Sequence, residues 1–183
     1  MKNIGKLREI KMEELSLILS WRNAPRVREN MYTRHEISLD EHQVWWASVS
    51  KNSAQEYFMY ELDGVALGVV GFSEIDKRNK NSSWAFYTSP DAPKGTGSKM
   101  EFLALDYAFH ELALHKLCCE VLAFNEAVIK LHKKFGFHEE GVLREHHKVD
   151  EAFINIHTLG ILSTEWDDRR KVMKDQLNKF LQK

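Results

Sequence analysis

Apolar and polar positions change their spacing along this chain in a way that separates strands from helices. Lys6 to Ile10 reads as a short first strand, after which Met12, Leu15, Ile18, Leu19 and Trp21 recur at helical spacing. That helix is predicted to break at Asn23-Ala24-Pro25, because a residue before proline avoids helical backbone. A second helix is predicted over Leu39 to Val49, with Ser38 as N-cap and Asp40-Glu41 placing negative charge in its first turn. Tyr57 to Leu62 and Val65 to Ile75 are strands about the turn Asp63-Gly64, a strong hairpin signal. The polar stretch Asp76 to Ser83 reads as a loop into the aromatic strand Trp84–Thr88. A glycine-spaced turn, Ala92-Pro93-Lys94-Gly95-Thr96-Gly97-Ser98, then opens into a helical run from Met100 to Leu112. Lys116 to Phe124 is the next strand. Asn125 is predicted to cap a helix, Glu126 to Phe135, that stops at Gly136. Phe137 to His147 and Phe153 to Leu162 form a last hairpin, and the charged stretch 164–183 reads as a helix lying on the surface. The order β-α-α-β-β-β-α-β-α-β-β-α implies an α/β fold, a mixed and mostly antiparallel central sheet with helices on both faces.

Composition narrows the class. The 183 residues suit one domain spanning 1–183, with a core large enough to need neither metal nor disulfide. Charged residues at 29% and hydrophobic ones at 43% describe a soluble globular chain, and a net charge of −1 gives no basic field for nucleic acid. The amino terminus, Met1 to Lys6, is polar, and nothing approaches the roughly eighteen apolar residues of a membrane span, so a cytoplasmic protein is expected. Cys118 and Cys119 are neighbours on a strand and point to opposite faces, which argues for packing rather than a disulfide. The nine histidines include no His-Glu-x-x-His, and no Cys-x-x-Cys occurs, so no metal is expected.

The glycine turn is the first candidate for chemistry. A strand, a glycine turn and a helix in succession aim the unpaired N–H groups and positive end of the helix at one spot, which suits a pyrophosphate. Gly95 and Gly97 allow close backbone approach, and Lys94 adds charge. The alternative is an ordinary loop with a glycine-assisted helix start.

Together with Asn125-x-Ala127-x-x-x-Leu131-x-x-x-Phe135-Gly136-Phe137 and the order of elements, this turn resembles the GCN5-related N-acetyltransferases (GNAT) over nearly the whole chain. The resemblance implies acetyl-CoA as donor, with its pyrophosphate on the turn at Lys94, Gly95, Thr96, Gly97, Ser98 and Lys99. It also implies a pantetheine arm beside Tyr87, between strands Trp84–Thr88 and Leu117–Phe124 splayed at a bulge, and a coenzyme contact from Asn125. The family's turn usually reads Gln/Arg-x-x-Gly-x-Gly/Ala; Ala92 and Pro93 depart from it and remove one side-chain contact and one amide donor.

The amino-terminal half carries a narrower resemblance. Trp21-Arg22-Asn23-x-Pro25, Asn30-Met31-Tyr32-Thr33 and Ile37-Ser38-Leu39 with His42 and Trp45 are similar to the N-acetyltransferases of pseudaminic acid biosynthesis. Those act on the 4-amino group of UDP-4-amino-4,6-dideoxy-N-acetyl-β-L-altrosamine, a precursor of flagellar glycans. Met31, Tyr32 and Trp45 offer soft and aromatic surface for a uracil ring, and Arg22 and His42 can meet a pyrophosphate. Ser73 and Glu74 are grouped with them as substrate contacts. Core packing for Met31 and Trp45 and a salt-bridged helix end for Arg22 are the alternatives.

Acetyl transfer to an amine needs a neutral amine and a stabilised thiolate, whose thiol has a pKa of roughly 8.5. The family commonly places a tyrosine acid on the helix after Asn125; here that position is His132. Tyr87 or water could serve instead. For the base, Glu120 is a carboxylate inside the apolar run Leu117–Leu122, where burial would make it a better proton acceptor; Glu74 is the reserve. Two other readings stay open: acetylation of a protein N-terminal amine, and a non-catalytic acyl-CoA-binding module. A homodimer through the last hairpin is also compatible with the family.

Overall fold

Seven strands run through the computed structural model, which describes residues 3–180: β1 (Lys6–Glu9), β2 (Glu56–Leu62), β3 (Val65–Asp76), β4 (Asn81–Thr88), β5 (Lys116–Leu122), β6 (His138–Val149) and β7 (Ala152–Leu162). They hydrogen-bond in the order β1-β2-β3-β4-β5-β7-β6, antiparallel throughout except where β4 meets β5. The helices are α1 (Leu15–Asn23), α2 (Pro25–Arg28), α3 (Leu39–Val49), α4 (Thr96–Asp106, continued by a π-helical turn Tyr107–Glu111), α5 (Glu126–Phe135) and α6 (Ser163–Phe180).

Side chains alternate across the pleat, and each face of the sheet finds its own helices. Met59 and Val69 pack with Ile18 and Trp21 of α1 on one face, while Tyr60, Val70 and Phe72 join Met100 and Leu105 of α4 on the other. Ser38 caps α3 by accepting the Glu41 amide at 3.2 Å, as its sequence predicts. Pro25 separates α1 from α2 without ending helical structure, because proline is tolerated in a first turn, where its missing N–H has no partner to lose.

The polar segment before Trp84 is a turn over residues 77–80, as expected, with strand on either side of it. β4 begins at Asn81, and Ser82 can be buried there because its single hydroxyl proton has an acceptor at 2.8 Å in the carbonyl of Ser73 or that of Ser83. The carboxy-terminal helix is also more than a surface element. Trp166, Met173 and Leu177 are buried, the Trp166 indole donates to Asp106 at 3.0 Å, and Arg170 grips the same carboxylate with two bonds of 2.7 Å. Positions 181–183 of the expected helix lie outside the described residues.

The parallel ladder between β4 and β5 is short. Asn81, Ser82 and Ser83 pair with Lys116, Leu117 and Cys118, and beyond them the strands part. Trp84–Thr88 stays with β3 and Cys119–Leu122 stays with β7, so a gap opens inside an otherwise continuous sheet. The strands part as expected, but no register shift marks the β4–β5 ladder itself; neighbouring β3 shifts register between Ser73 and Asp76, where Glu74 adopts a φ of 54°.

Candidate active site

The gap is the larger of two adjoining clefts. It measures about 410 Å³ and lies between Trp84–Thr88, Cys119–Leu122, the start of α5 and the segment Asn30–Tyr32. A second cleft of about 320 Å³ lies toward α1 and α3, lined by Arg22, His42, Trp45, Tyr57 and Ser73 among others. Met31, Ala85 and Tyr87 line both, so the clefts meet at the middle of β4. Gly71 makes room for this junction: a Cβ there would run into the Tyr57 ring, which lies against the strand.

The glycine turn follows β4 after a short loop whose Pro90 carbonyl is held by Arg26 at 3.0 Å; it lines neither cleft itself. Gly95 sits at the N-cap of α4 with a φ of 91°, a conformation open to glycine and strained for other residues. The Thr96 amide and hydroxyl both donate to the Pro93 carbonyl (3.1 and 2.7 Å), and the Lys99 amide donates to Gly95 at 3.3 Å. Those two amides are therefore turned inward, so not every amide of the Lys94–Lys99 turn is open to the pyrophosphate that the resemblance places there. The amides of Lys94, Gly95, Gly97 and Ser98 have no partner among the described residues and cluster at the positive end of α4. The buried indole Nε1 of Trp84, a residue of the larger cleft, also lacks a partner. Unpaired amides, an unpaired indole and a parted sheet together fit an elongated, phosphate-bearing, amide-rich ligand such as acetyl-CoA.

Asn125 lines the mouth of the same cleft and precedes α5, but its side chain makes no cap bond; its carbonyl serves the helix by accepting from Val128 and Ile129. The amide-bearing side chain is left for a ligand.

His132 is buried, as is Glu101 of α4, and His132 Nδ1 lies 2.8 Å from Glu101 Oε1. Trp84, Phe86 and Phe137 surround the imidazole at ring distances of 5.4, 6.1 and 5.0 Å. Burial pushes the Glu101 carboxyl up, an effect that the neighbouring imidazole opposes. Sequence reasoning missed Glu101, although a carboxylate within Met100-Glu101-Phe102-Leu103 is the same oddity that singled out Glu120.

Glu120 lines the larger cleft but is exposed, so the burial expected of it is not there. It accepts a 2.6 Å hydrogen bond from the hydroxyl of Tyr32, which lines this larger cleft and not the smaller one expected of it, with Trp45. Burial first, and that bond second, raise the Tyr32 hydroxyl well above the usual tyrosine range, so it stays protonated as donor. Burial likewise raises Tyr87, with the Arg22 charge opposing. Glu74 is exposed and lines neither cleft; the β3 bulge turns it aside.

In the smaller cleft, Arg22 donates through Nη2 to Thr33 O at 3.0 Å while its buried Nη1 has no partner. His42 is buried, lies 5.1 Å from Trp45 ring to ring, and has an unpartnered Nδ1. Burial and then the Arg22 charge hold its imidazole below the usual histidine range. Asn23 fixes the intervening loop by donating to the Ile37 carbonyl (2.8 Å) and accepting its amide (2.9 Å). Among the described residues no group of three or more His, Cys, Asp or Glu side chains could hold a metal, and no helix is long and apolar enough to cross a membrane.

Residues 6–138 match the Acetyltransferase (GNAT) domain family. The chain belongs to the GNAT acetyltransferases. This acetyltransferase is 30% identical over 129 residues to Acetyltransferase PseH of Campylobacter jejuni, a match covering 70% of this chain and 80% of that one. It is 33% identical over 105 residues to the spermidine N(1)-acetyltransferase of Escherichia coli, covering 57% and 54%. Its fold matches the Vibrio cholerae spermidine N-acetyltransferase, solved with CoA and spermine, at a TM-score of 0.82, 24% identity, and 88% and 96% coverage. As a GNAT enzyme the chain is an acetyl-CoA-dependent N-acetyltransferase, which removes the non-catalytic binding module from consideration.

Proposed function

We propose that this acetyltransferase acts on a nucleotide-linked amino sugar, transferring acetyl from acetyl-CoA to the 4-amino group of a UDP-4-amino-4,6-dideoxy sugar of the pseudaminic acid type. The observation that carries the reading is the smaller cleft: a half-buried Arg22, whose buried Nη1 has no partner, and a buried His42 with an unpartnered Nδ1 lie among Trp45, Tyr57 and Met31. Such a surface accepts a planar base against its rings and an anionic linker against its donors. The similarity to PseH supports it.

In this reading the free amides of Lys94, Gly95, Gly97 and Ser98 hold the coenzyme pyrophosphate, helped by the Lys94 and Lys99 charges. The pantetheine arm lies between Trp84–Thr88 and Cys119–Leu122, within reach of Asn125. Its thioester comes to the junction at Ala85 and Tyr87, where the amine arrives from the smaller cleft beside Ser73. Glu120, with Tyr32 fixing its carboxylate, takes the amine proton through water, and His132 returns a proton to the departing thiolate. Positioning supplies much of the rate, because both reactants are held against one short stretch of β4.

Two other acceptors are alternatives. Polyamines are favoured by the spermidine acetyltransferase relatives. A polycation, however, would meet the Arg22 charge, and the cleft carboxylate Glu41 is already engaged by His35 at 3.0 Å. A protein N-terminal amine is the other. Thiol release from acetyl-CoA, measured against UDP-4-amino sugars, spermidine and an N-terminal peptide, decides among them. Turnover with the UDP-amino sugar is expected; turnover confined to spermidine or peptide overturns the acceptor assignment.

A further inference from the structure

We propose that Glu101 is the positioning residue for proton transfer in this enzyme, holding His132 through Nδ1 so that Nε2 carries the proton toward the leaving thiolate. The inference rests on the reading of His132 as the acid. It concerns a residue that touches neither reactant: Glu101 is fully buried in α4 and absent from the lining of both clefts, whereas His132 lines the larger one.

Three observations converge. The first is the 2.8 Å contact between His132 Nδ1 and Glu101 Oε1. With Nδ1 taken, Nε2 is the ring nitrogen left, and it has no partner among the described residues. The second is the aromatic wall of Trp84, Phe86 and Phe137, which leaves the imidazole little freedom to rotate. The third is that the other carboxylate oxygen, Glu101 Oε2, is buried without a partner, so this carboxyl has one interaction to make and makes it with His132.

The proton count follows from the tautomers. When the pair as a whole is neutral, one proton lies between Oε1 and Nδ1. Whether it sits on oxygen or nitrogen, the second proton is on Nε2. As the amine nitrogen bonds to the acetyl carbonyl carbon, the C–S bond breaks and its electron pair goes to sulfur. Nε2 then gives its proton to that sulfur, and the pair becomes a carboxylate against a neutral imidazole protonated at Nδ1. The proton lost by the attacking nitrogen leaves through Glu120 and water, solvent reprotonates Nε2, and the products are amide and free thiol. A carboxamide at position 101 breaks this arrangement. Its oxygen, turned to Nδ1, selects the Nδ1–H tautomer, whose Nε2 has nothing to donate. Its amino group, turned there, keeps Nε2–H but supplies no charge to hold a second proton on the pair. Glu101→Leu, which can do neither, is therefore measured beside Glu101→Gln.

Other groups face the pair. From β5 comes the buried Cys119 thiol, pushed well up by burial and then by the Glu101 charge; from α5 comes the Lys134 charge, which favours the Glu101 carboxylate. The alkaline limb of kcat therefore belongs to this set, with Glu101 the member whose replacement should move it toward lower pH.

The test is a double-mutant cycle on the full chain, with coenzyme binding measured on each variant. Glu101→Gln should lower kcat about a hundred-fold, the range of a lost general acid, with little change in KM for acetyl-CoA. His132→Gln should do the same, and the pair together should be no worse than either alone. If His132→Gln lowers kcat while Glu101→Gln does not, the positioning role fails and the acid stands. If His132→Gln leaves kcat unchanged, the acid assignment fails and the inference falls with it. Independent, multiplying losses would mean a merely structural carboxyl and also overturn it. A tautomer measurement on isotope-labelled histidine in the unsubstituted protein requires no variant to fold: Nε2–H at neutral pH is expected, and an Nε2 lone pair there rejects the proposal.

Discussion

Arg22 and His42 share a cleft, yet their replacement should be read out differently. Arg22 offers an unpartnered charged donor, so Arg22→Met should raise KM for the UDP-amino sugar by roughly ten- to a hundred-fold, the loss of one charge-assisted bond, while KM for acetyl-CoA holds. An unaltered acceptor KM would remove Arg22 from the site. His42 is held below the usual histidine range by burial and by Arg22, so folding favours its neutral form. The unfolded chain then binds the extra proton first, and stability falls as pH drops through the unperturbed value of about 6.5. His42→Gln should flatten that slope in urea unfolding series at several pH values, and an unchanged slope rejects the assignment. These residues were singled out through the resemblance of their short motifs to the N-acetyltransferases of pseudaminic acid biosynthesis, and the structure brings them into one cleft. Glu101 was not, since its meaning depends on a partner thirty-one positions away. The exposure of Glu120 was hidden for the complementary reason: an apolar run does not say which of its faces is covered.

Among the elements, the two helix starts at Ser38 and Asn125 look alike in sequence and differ in structure. Ser38 bonds its helix, so Ser38→Ala should cost about 1 kcal/mol in unfolding free energy. Asn125 makes no such bond, so Asn125→Ala should alter stability by less than about 0.5 kcal/mol while raising KM for acetyl-CoA several-fold. A stability loss equal to that of Ser38→Ala, with KM unchanged, would make it an ordinary cap. Periodicity and turn residues sufficed for most element boundaries, including the Asp63-Gly64 hairpin and the Gly136 stop. They failed at β4, whose Asn81-Ser82-Ser83 start is held by a hydroxyl bond to backbone rather than by apolar burial. They also undervalued α6, where Trp166, Met173 and Leu177 recur at seven and four residues inside a highly charged segment. Charge on the outer face masked the inner one.

Across the whole molecule, the order of elements was enough to anticipate a mixed sheet, but not that, among the described residues, the ladder joining its two halves is three residue pairs long. The sheet is like a book bound along a short spine: one leaf is β1 to β4, the other β5 to β7, and each is stitched internally along longer margins. A ligand lying between the leaves is then mortar as well as reactant, its amides supplying rungs that the chain itself omits. Coenzyme A should accordingly raise the melting temperature and slow amide exchange on both facing pages, Trp84–Thr88 and Cys119–Leu122, and leave the outer margin β1 unaltered. Protection confined to one page would mean that the ligand is glued to a single leaf. Protection on both would mean that the enzyme finishes building its sheet each time it takes up its donor, and loosens the binding each time the spent thiol leaves.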